Sequence, residues 1–428
     1  MSVILSDCPP TVPVTAIGGR RWSDRALDVT AFFLADVADG LGPFLVIDLT
    51  SRRGWSSSEA GLALAMLLVG TVATQTLVGF WIDSTRRKRL AVAAAALVVA
   101  FASVLLYSAN SRSAVYGLQV LTGVTVAVIP PALAAISLGL VGRERLASRL
   151  GRNEACFHAG NVASAVMAAA ANWCCGSMGI FYGVAVMAIA SSISVLQIRE
   201  RDIDHQLARG ADSPDGHCAI VPLRRLLTDS RILWFTVAVV LFHFANAAML
   251  PLVGQKVGHK SPESAATLMA VCIIVAQVTM VPVALLGSVK ATLSRRRVFL
   301  LGFAILPIRG LIYTLTDATP LLIANQILDG VGAGIFGVVS VLMMADLTRG
   351  TGRFNFAQGM VATAIGLGAA ASNYLTGLIV DAGGYDYGFL FLSGIAVVAA
   401  VTFLVRVADT GPNSAPKKLN GVRIAKDE

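Results

Sequence analysis

The chain is written in apolar runs of about 20 residues, each closed by a short polar segment. A run of that length is what an α-helix needs to cross the hydrocarbon core of a bilayer. The composition agrees: 56% of the residues are hydrophobic and only 14% are charged. A soluble domain carries roughly a quarter charged residues. The fold expected is therefore all-α and polytopic. Residues 1–26 carry Arg20, Arg21 and Arg25 without an apolar run before a small-residue cleavage site. The first span is thus expected to target the chain to the membrane itself.

Twelve spans are expected, at 27–49, 57–80, 89–108, 113–141, 153–172, 178–197, 231–254, 263–287, 297–316, 319–344, 355–378 and 387–407. The longest connection, a polar loop at 199–230, lies between spans 6 and 7. It divides the protein into an N-terminal bundle at 27–198 and a C-terminal bundle at 231–407. A segment at 1–26 and a tail at 408–428 flank them.

Charge fixes the expected topology. With the N-terminus inside, the inner segments hold 28 of the 34 Lys and Arg residues, the outer loops hold five, and Arg309 lies within span 9. That asymmetry follows the positive-inside rule and puts both termini in the cytoplasm of an inner (cell) membrane protein. It also accounts for the net charge of +9 without nucleic acid as a partner. All five tryptophans, at 22, 55, 81, 173 and 234, fall at span edges, where amphipathic rings prefer to sit.

The two halves repeat weakly. Gln119-Val-Leu-Thr-Gly123-Val in span 4 matches Gln326-Ile-Leu-Asp-Gly330-Val in span 10, 207 residues later. Gly151-Arg152-Asn153 at span 5 matches Gly352-Arg353-Phe354-Asn355 at span 11. Parallel six-helix repeats in transporters leave such traces.

Polar residues inside spans mark candidate working positions, because each is costly in lipid. Asp36 and Asp39 on span 1 share one helix face. Two carboxylates that close in low dielectric resist double ionisation, the behaviour a proton carrier needs. The 207-residue offset aligns them with His243 and Asn246 on span 7, and Asp329 sits beside Gly330 on span 10. His158 on span 5 reads as structural, and Arg309 is expected to snorkel to the outer face. The paired prolines Pro130 and Pro131 must kink or loosen span 4. The six cysteines show no metal or redox spacing. No nucleotide loop, metal cluster or nucleophile triad is present, so no enzyme activity and no cofactor is expected.

The most specific motif joins spans 2 and 3: Gly79-Phe-Trp-Ile-Asp83-Ser-Thr-Arg-Arg87-Lys88-Arg89. It resembles the signature loop of the major facilitator superfamily at Gly79, Asp83, Arg87 and Lys88, with Arg86 replacing the second glycine. The corresponding loop of the second half has Gly287, Lys290 and Arg295–Arg297 but no aspartate. The resemblance covers residues 27–407 and implies two pseudo-symmetric six-helix bundles rocking about a central site. It further implies a cytoplasmic gate built on the motif, and a cavity lined by spans 1, 4, 7 and 10. The function expected is secondary transport of a small organic molecule, proton-coupled and outward, by a monomer. Proton-coupled uptake of a small metabolite or organic anion is the alternative, and a non-transporting receptor a further one. The arginine of span 4 and the Gly-Pro pair of span 5 found in many proton-driven members are missing.

Overall fold

A computed structural model describes residues 17–39, 45, 48–55, 57–211, 220–260 and 262–411. Among these the chain is helical throughout, without a strand. The N-terminal half contains α1 (Ile17–Asp39), α2 (Ser57–Ser84), α3 (Lys88–Ser108), α4 (Arg112–Val126), α5 (Ile129–Cys175) and α6 (Ser177–Leu196). The C-terminal half contains α7 (Ser230–Ala247), α8 (Met249–Lys260), α9 (Pro262–Ala291), α10 (Arg295–Leu315), α11 (Thr319–Leu347), α12 (Phe354–Gly383) and α13 (Tyr385–Arg406).

Ten helical stretches among the described residues are long and apolar enough to cross a membrane. One of them, Arg112–Cys175, holds two of the expected spans. The sequence suggests a connection over 142–152, but the structure turns the chain at one residue. Gly142 takes φ 72° and ψ 173°, open to a residue without a Cβ, and helix resumes on both sides. Upstream, the helix breaks after Val126, and Pro130–Pro131 then occupy the first turn of α5, where a missing N–H costs nothing. Span 1 corresponds to α1, which begins at Ile17 rather than 27. Its early turns carry charge and are tied down from outside: Ser23 donates to Asp202 at 2.6 Å, and Asp28 pairs with both Arg149 and Arg152. Among the described residues, the expected loop 199–230 contains three short helical turns, Glu200–Asp202, His205–Ala208 and Leu223–Leu227.

The halves are packed by different chemistry. In the N-terminal half α3 reads AVAAAALVVA, and its alanines let α6 and α5 approach closely. In the C-terminal half phenylalanines fill the core. Phe235, Phe242, Phe299, Phe303, Phe336 and Phe403 stack or meet edge to face, with centroids 4.7–6.3 Å apart. Large side chains such as Leu77, Val166, Leu286 and Val405 stand outward and exposed, as a lipid-facing surface requires. Four tryptophans are likewise exposed, whereas Trp55 is buried against Tyr116.

Two helix pairs make the main contacts between the halves, α2 with α12 and α5 with α9, and α5 also touches α11 and α12. The starts of α1 and α7, the loop 85–87, the turns before α10 and α12, and the end of α13 lie together at one end, called here the charged end.

Candidate functional site

The site at the charged end begins with an unfinished helix. The first amides of α12 have no intrahelical acceptor, and its own N-cap residue, Arg353, makes no side-chain cap. The donors are satisfied from outside. Phe354 N–H donates to the Arg209 carbonyl at 3.2 Å, Asn355 N–H to Asp83 Oδ1 at 3.1 Å, and Phe356 N–H to Asp83 Oδ2 at 2.8 Å. Asn355 Nδ2 adds a bond to Asp83 Oδ1 at 2.8 Å and one to the Ala208 carbonyl at 3.2 Å. Asp83 is the last acidic residue of α2, so one half of the protein caps a helix of the other. A carboxylate there also faces the positive end of the helix dipole.

The sequence around Asp83 makes this approach possible. Gly79 lies one turn back, directly against the backbone of Asn355 and Phe356, where a side chain has no room. Further along, Gly359 of α12 meets Gln75 and Thr76 in the same way, and Thr76 and Thr363 share a hydrogen bond at 2.7 Å. Lys88 is buried and donates to the Thr85 carbonyl at 2.6 Å, closing the turn into α3. Arg87 lies exposed at the turn, while Arg353 stacks over Phe80 at 5.0 Å. Burial pushes the Arg209 guanidinium down from its ordinary value; Asp83 opposes this, and Arg353 and Arg86 add to it. The loop after α6 joins the clasp as well, with Gly352 N–H on Gly210 and Val221 N–H on Thr351.

The corresponding loop of the second half, which lacks the aspartate, is used differently. Arg295 pairs with Asp346 at 2.6 Å, and Ser294 donates to Asp409 at 2.5 Å. Both contacts stay within the C-terminal half. Across the α5–α9 seam, Ser288 packs on Gly151 without a carboxylate.

At mid-depth the expected polar residues separate. Asp36 and Asp39 lie in the last turns of α1, and their side chains fall outside the described residues. His243 stands edge-on to Phe336 of α11, with ring centroids 4.3 Å apart. Asn246 and Asp329 are brought together by Arg309, and this corrects the expectation that Arg309 snorkels. Arg309 is 1% exposed, pairs with Asp329 at 2.7 Å and donates to Asn246 Oδ1. Its Nε meets the Tyr313 hydroxyl at 3.2 Å, Gln326 donates to the same hydroxyl at 2.7 Å, and Asn325 holds the Arg309 carbonyl. A guanidinium with this many partners inside the bundle has no reason to reach for the interface. The matching Gln119 of the first half also lies buried but bonds the Ala63 carbonyl of α2.

Sequence reasoning missed Glu154 on α5, and with it Gln277 on α9. Glu154 lies in the seam between the halves. Its carboxylate is 3.6 Å from His158 Nε2, and His158 Nδ1 meets Gln277 Oε1 of α9 at 2.6 Å. The i, i+4 spacing of Glu154 and His158 was the available signal.

The comparisons with known proteins agree with this architecture. The family profile described as Major Facilitator Superfamily matches residues 27–306 and 284–426. Two Mycobacterium tuberculosis proteins, from strains CDC 1551 / Oshkosh and H37Rv, are each described as an uncharacterized MFS-type transporter. Each is 42% identical over 389 residues, covering 90% of this chain and 93% of the relative. Among solved structures, the proton:xylose symporter XylE bound to 6-bromo-6-deoxy-D-glucose superposes with a TM-score of 0.70 at 12% identity. That match covers 92% of this chain and 97% of XylE. The transporter FucP in its outward conformation gives 0.70 at 14% identity, over 90% of this chain and 98% of FucP. The chain belongs to the major facilitator superfamily and is a non-enzymatic, multi-pass membrane transporter.

Proposed function

We propose that this transporter exports a small organic molecule by alternating access and couples its movement to protons, acting as a monomer in the cell membrane with both termini cytoplasmic. The observation that carries the reading is the clasp of Asp83 on α12. It joins the two halves through bonds that parting of the charged end would break. A protein that rocks between two states needs such contacts, made in one state and broken in the other. In this reading Gly79, Asp83, Arg87 and Lys88 form the cytoplasmic gate. Asp36, Asp39 and His243 are the candidates for proton handling and, with Asn246 and Asp329, for the central cavity.

The test has two steps. A thermal-shift screen of purified protein against a compound library, at pH 5.5 and pH 7.5, finds ligands, because binding to the folded state raises the melting temperature by mass action. Stabilising compounds are then followed in proteoliposomes with and without an imposed pH gradient. The expected result is gradient-driven flux against the proton movement, lost in Asp36→Asn or Asp39→Asn. Flux along with the protons would replace export by uptake of a metabolite or organic anion. Equal rates with and without the gradient would refute coupling, and no flux of any stabilising compound would refute transport.

A further inference from the structure

Glu154 lies 12 residues beyond the Gly142 turn, which is about 18 Å along the helix at 1.5 Å per residue. That exceeds half the thickness of a hydrocarbon core of about 30 Å. Yet 31% of its side chain is open, so it is not enclosed in a packed core. Opposite it is Gly337 of α11, where a Cβ would sit 2.6 Å from Oε2. The glycine is what lets the carboxylate lie in the seam.

The groups facing Glu154 are few. On its own helix they are His158 one turn on, and Arg152 and Arg149, both already paired with Asp28 of α1. From α9 comes the neutral Gln277; the charged residues of that helix, Glu263 and Lys290, stand at its ends. Helix α11 has no charged residue between Asp329, which is paired with Arg309, and Asp346. Helix α12 has none from Phe354 to Val380, and α6 has none. On α1, Ala35 packs on Gly160; Asp36 follows it in the sequence, and its side chain lies outside the described residues.

The hydrogen bonding sets the direction of the proton. With the Gln277 carbonyl oxygen against the ring, His158 Nδ1 must carry hydrogen. In the neutral ring Nε2 is then a bare acceptor. It is buried, without a hydrogen-bond partner, and turned toward the Glu154 carboxylate. The pair thus has a place for one proton between oxygen and nitrogen, and the tautomer that offers it is held by the opposite half of the protein.

We propose that Glu154 and His158 form the proton-coupling pair of this transporter, loaded while Gln277 and Gly337 close the seam and unloaded when the halves part and water reaches it. With one proton, the pair is neutral overall and compatible with a shut seam. Without it, a net negative charge must stay in a low-dielectric seam, and hydration of the parted state is favoured. Closure of the charged end is therefore linked to uptake of one proton. This inference rests on the proton-coupled reading above and names a different residue for it.

The test measures the seam itself, so it needs no substrate. Spin labels are placed at Arg145→Cys, exposed just after the Gly142 turn of α5, and at Thr292→Cys, exposed just past the end of α9, after the native cysteines are replaced by alanine. The full chain is reconstituted in phosphatidylethanolamine/phosphatidylglycerol nanodiscs, and label distances are read by pulsed electron paramagnetic resonance from pH 5.5 to 8.5. For one linked proton the ratio of long to short distances rises by up to about tenfold per pH unit. The expected result is at least a tenfold rise across the range in the parent protein. Glu154→Gln should hold the short distance at every pH, and Glu154→Asp should restore a response. A merely structural glutamate would leave the pH response in place. If Glu154→Gln responds like the parent, the inference is overturned. If the response vanishes instead in Asp36→Asn, coupling sits on α1, and the proposed function survives while this inference does not. No response in the parent overturns both.

Discussion

Replacing Asp83 with alanine removes the acceptor for two backbone amides of α12 and one side-chain amide, all buried. In the state with the charged end open, these groups face water, so only the net value of each bond counts. A hydrogen bond to a charged group is worth about 1.5–3 kcal/mol net. Two such backbone bonds, at the low end of that range, give about 3 kcal/mol; the dipole term and the Asn355 side chain act in the same direction. At 1.4 kcal/mol per decade, the closed state loses a factor of about 100 against the open one. Hydrogen–deuterium exchange with mass spectrometry reads this directly. Peptides covering residues 353–358 should exchange about 100-fold faster in Asp83→Ala, while peptides within α10 and α13 keep their protection. The loop after α6 should follow the clasp, since Gly352 and Phe354 donate to its carbonyls at Gly210 and Arg209. An acceleration below threefold at 353–358 would refute the claim that Asp83 holds this end shut.

Two further outcomes concern the C-terminal half. Arg309→Met leaves Asp329 unpaired inside the bundle, at a cost of about 3–5 kcal/mol, and should lower the melting temperature sharply. The double variant Arg309→Met with Asp329→Leu should recover most of the loss, and a double variant no more stable than the single one would show that the ion pair is not the source. At the tail, burial raises the Asp409 carboxyl, but hydrogen bonds from Ser294, Gly411 and Arg296 and the charge of Arg295 outweigh it and hold the group below its ordinary 3.8. A carboxylate depressed in the folded state stabilises above the unfolded value and loses that contribution as pH falls through the folded one. The gap in melting temperature between the parent and Asp409→Asn should thus be constant above about pH 5 and shrink as pH drops below 3.8. A gap independent of pH over that window would count against the tie.

How far each feature was legible in the sequence depends on the range of the interaction behind it. Span lengths, basic loops and the Gly79–Asp83 spacing are local patterns, and the helices, the two halves and the clasp grow from them. Arg309 was misjudged because snorkelling was weighed from its own span alone. Its partners Asp329 and Asn246 lie on two other helices, and only their meeting makes burial cheaper than exposure. Glu154 was passed over for the opposite reason. It stands one residue inside the expected start of span 5, two residues after Arg152 and so at the edge of a basic connection. The turn at Gly142 removes that connection and draws Glu154 deep into the helix.

The same turn separates the two seams in kind. By the 207-residue repeat, Asp83 corresponds to Lys290, so the α5–α9 seam cannot repeat the charged cap of α2 on α12. Nor does α5 offer a helix start there to be capped, because it runs unbroken through Gly151, where α12 is only about to begin. One seam is therefore fastened at its end by a carboxylate on bare amides. The other closes at mid-depth around a carboxylate and an imidazole that can trade a proton. The cap sets the balance between open and closed from the end of one seam, whereas in the inference above the Glu154–His158 pair moves that balance with pH from the other. Weakening the first should shift the midpoint of the second without abolishing its pH response. In the spin-label measurement, Asp83→Ala should raise the long-distance population at every pH and leave a pH response that Glu154→Gln still removes. Loss of the response in Asp83→Ala, with both end states still reached, would mean that the clasp and not the Glu154–His158 pair senses the proton.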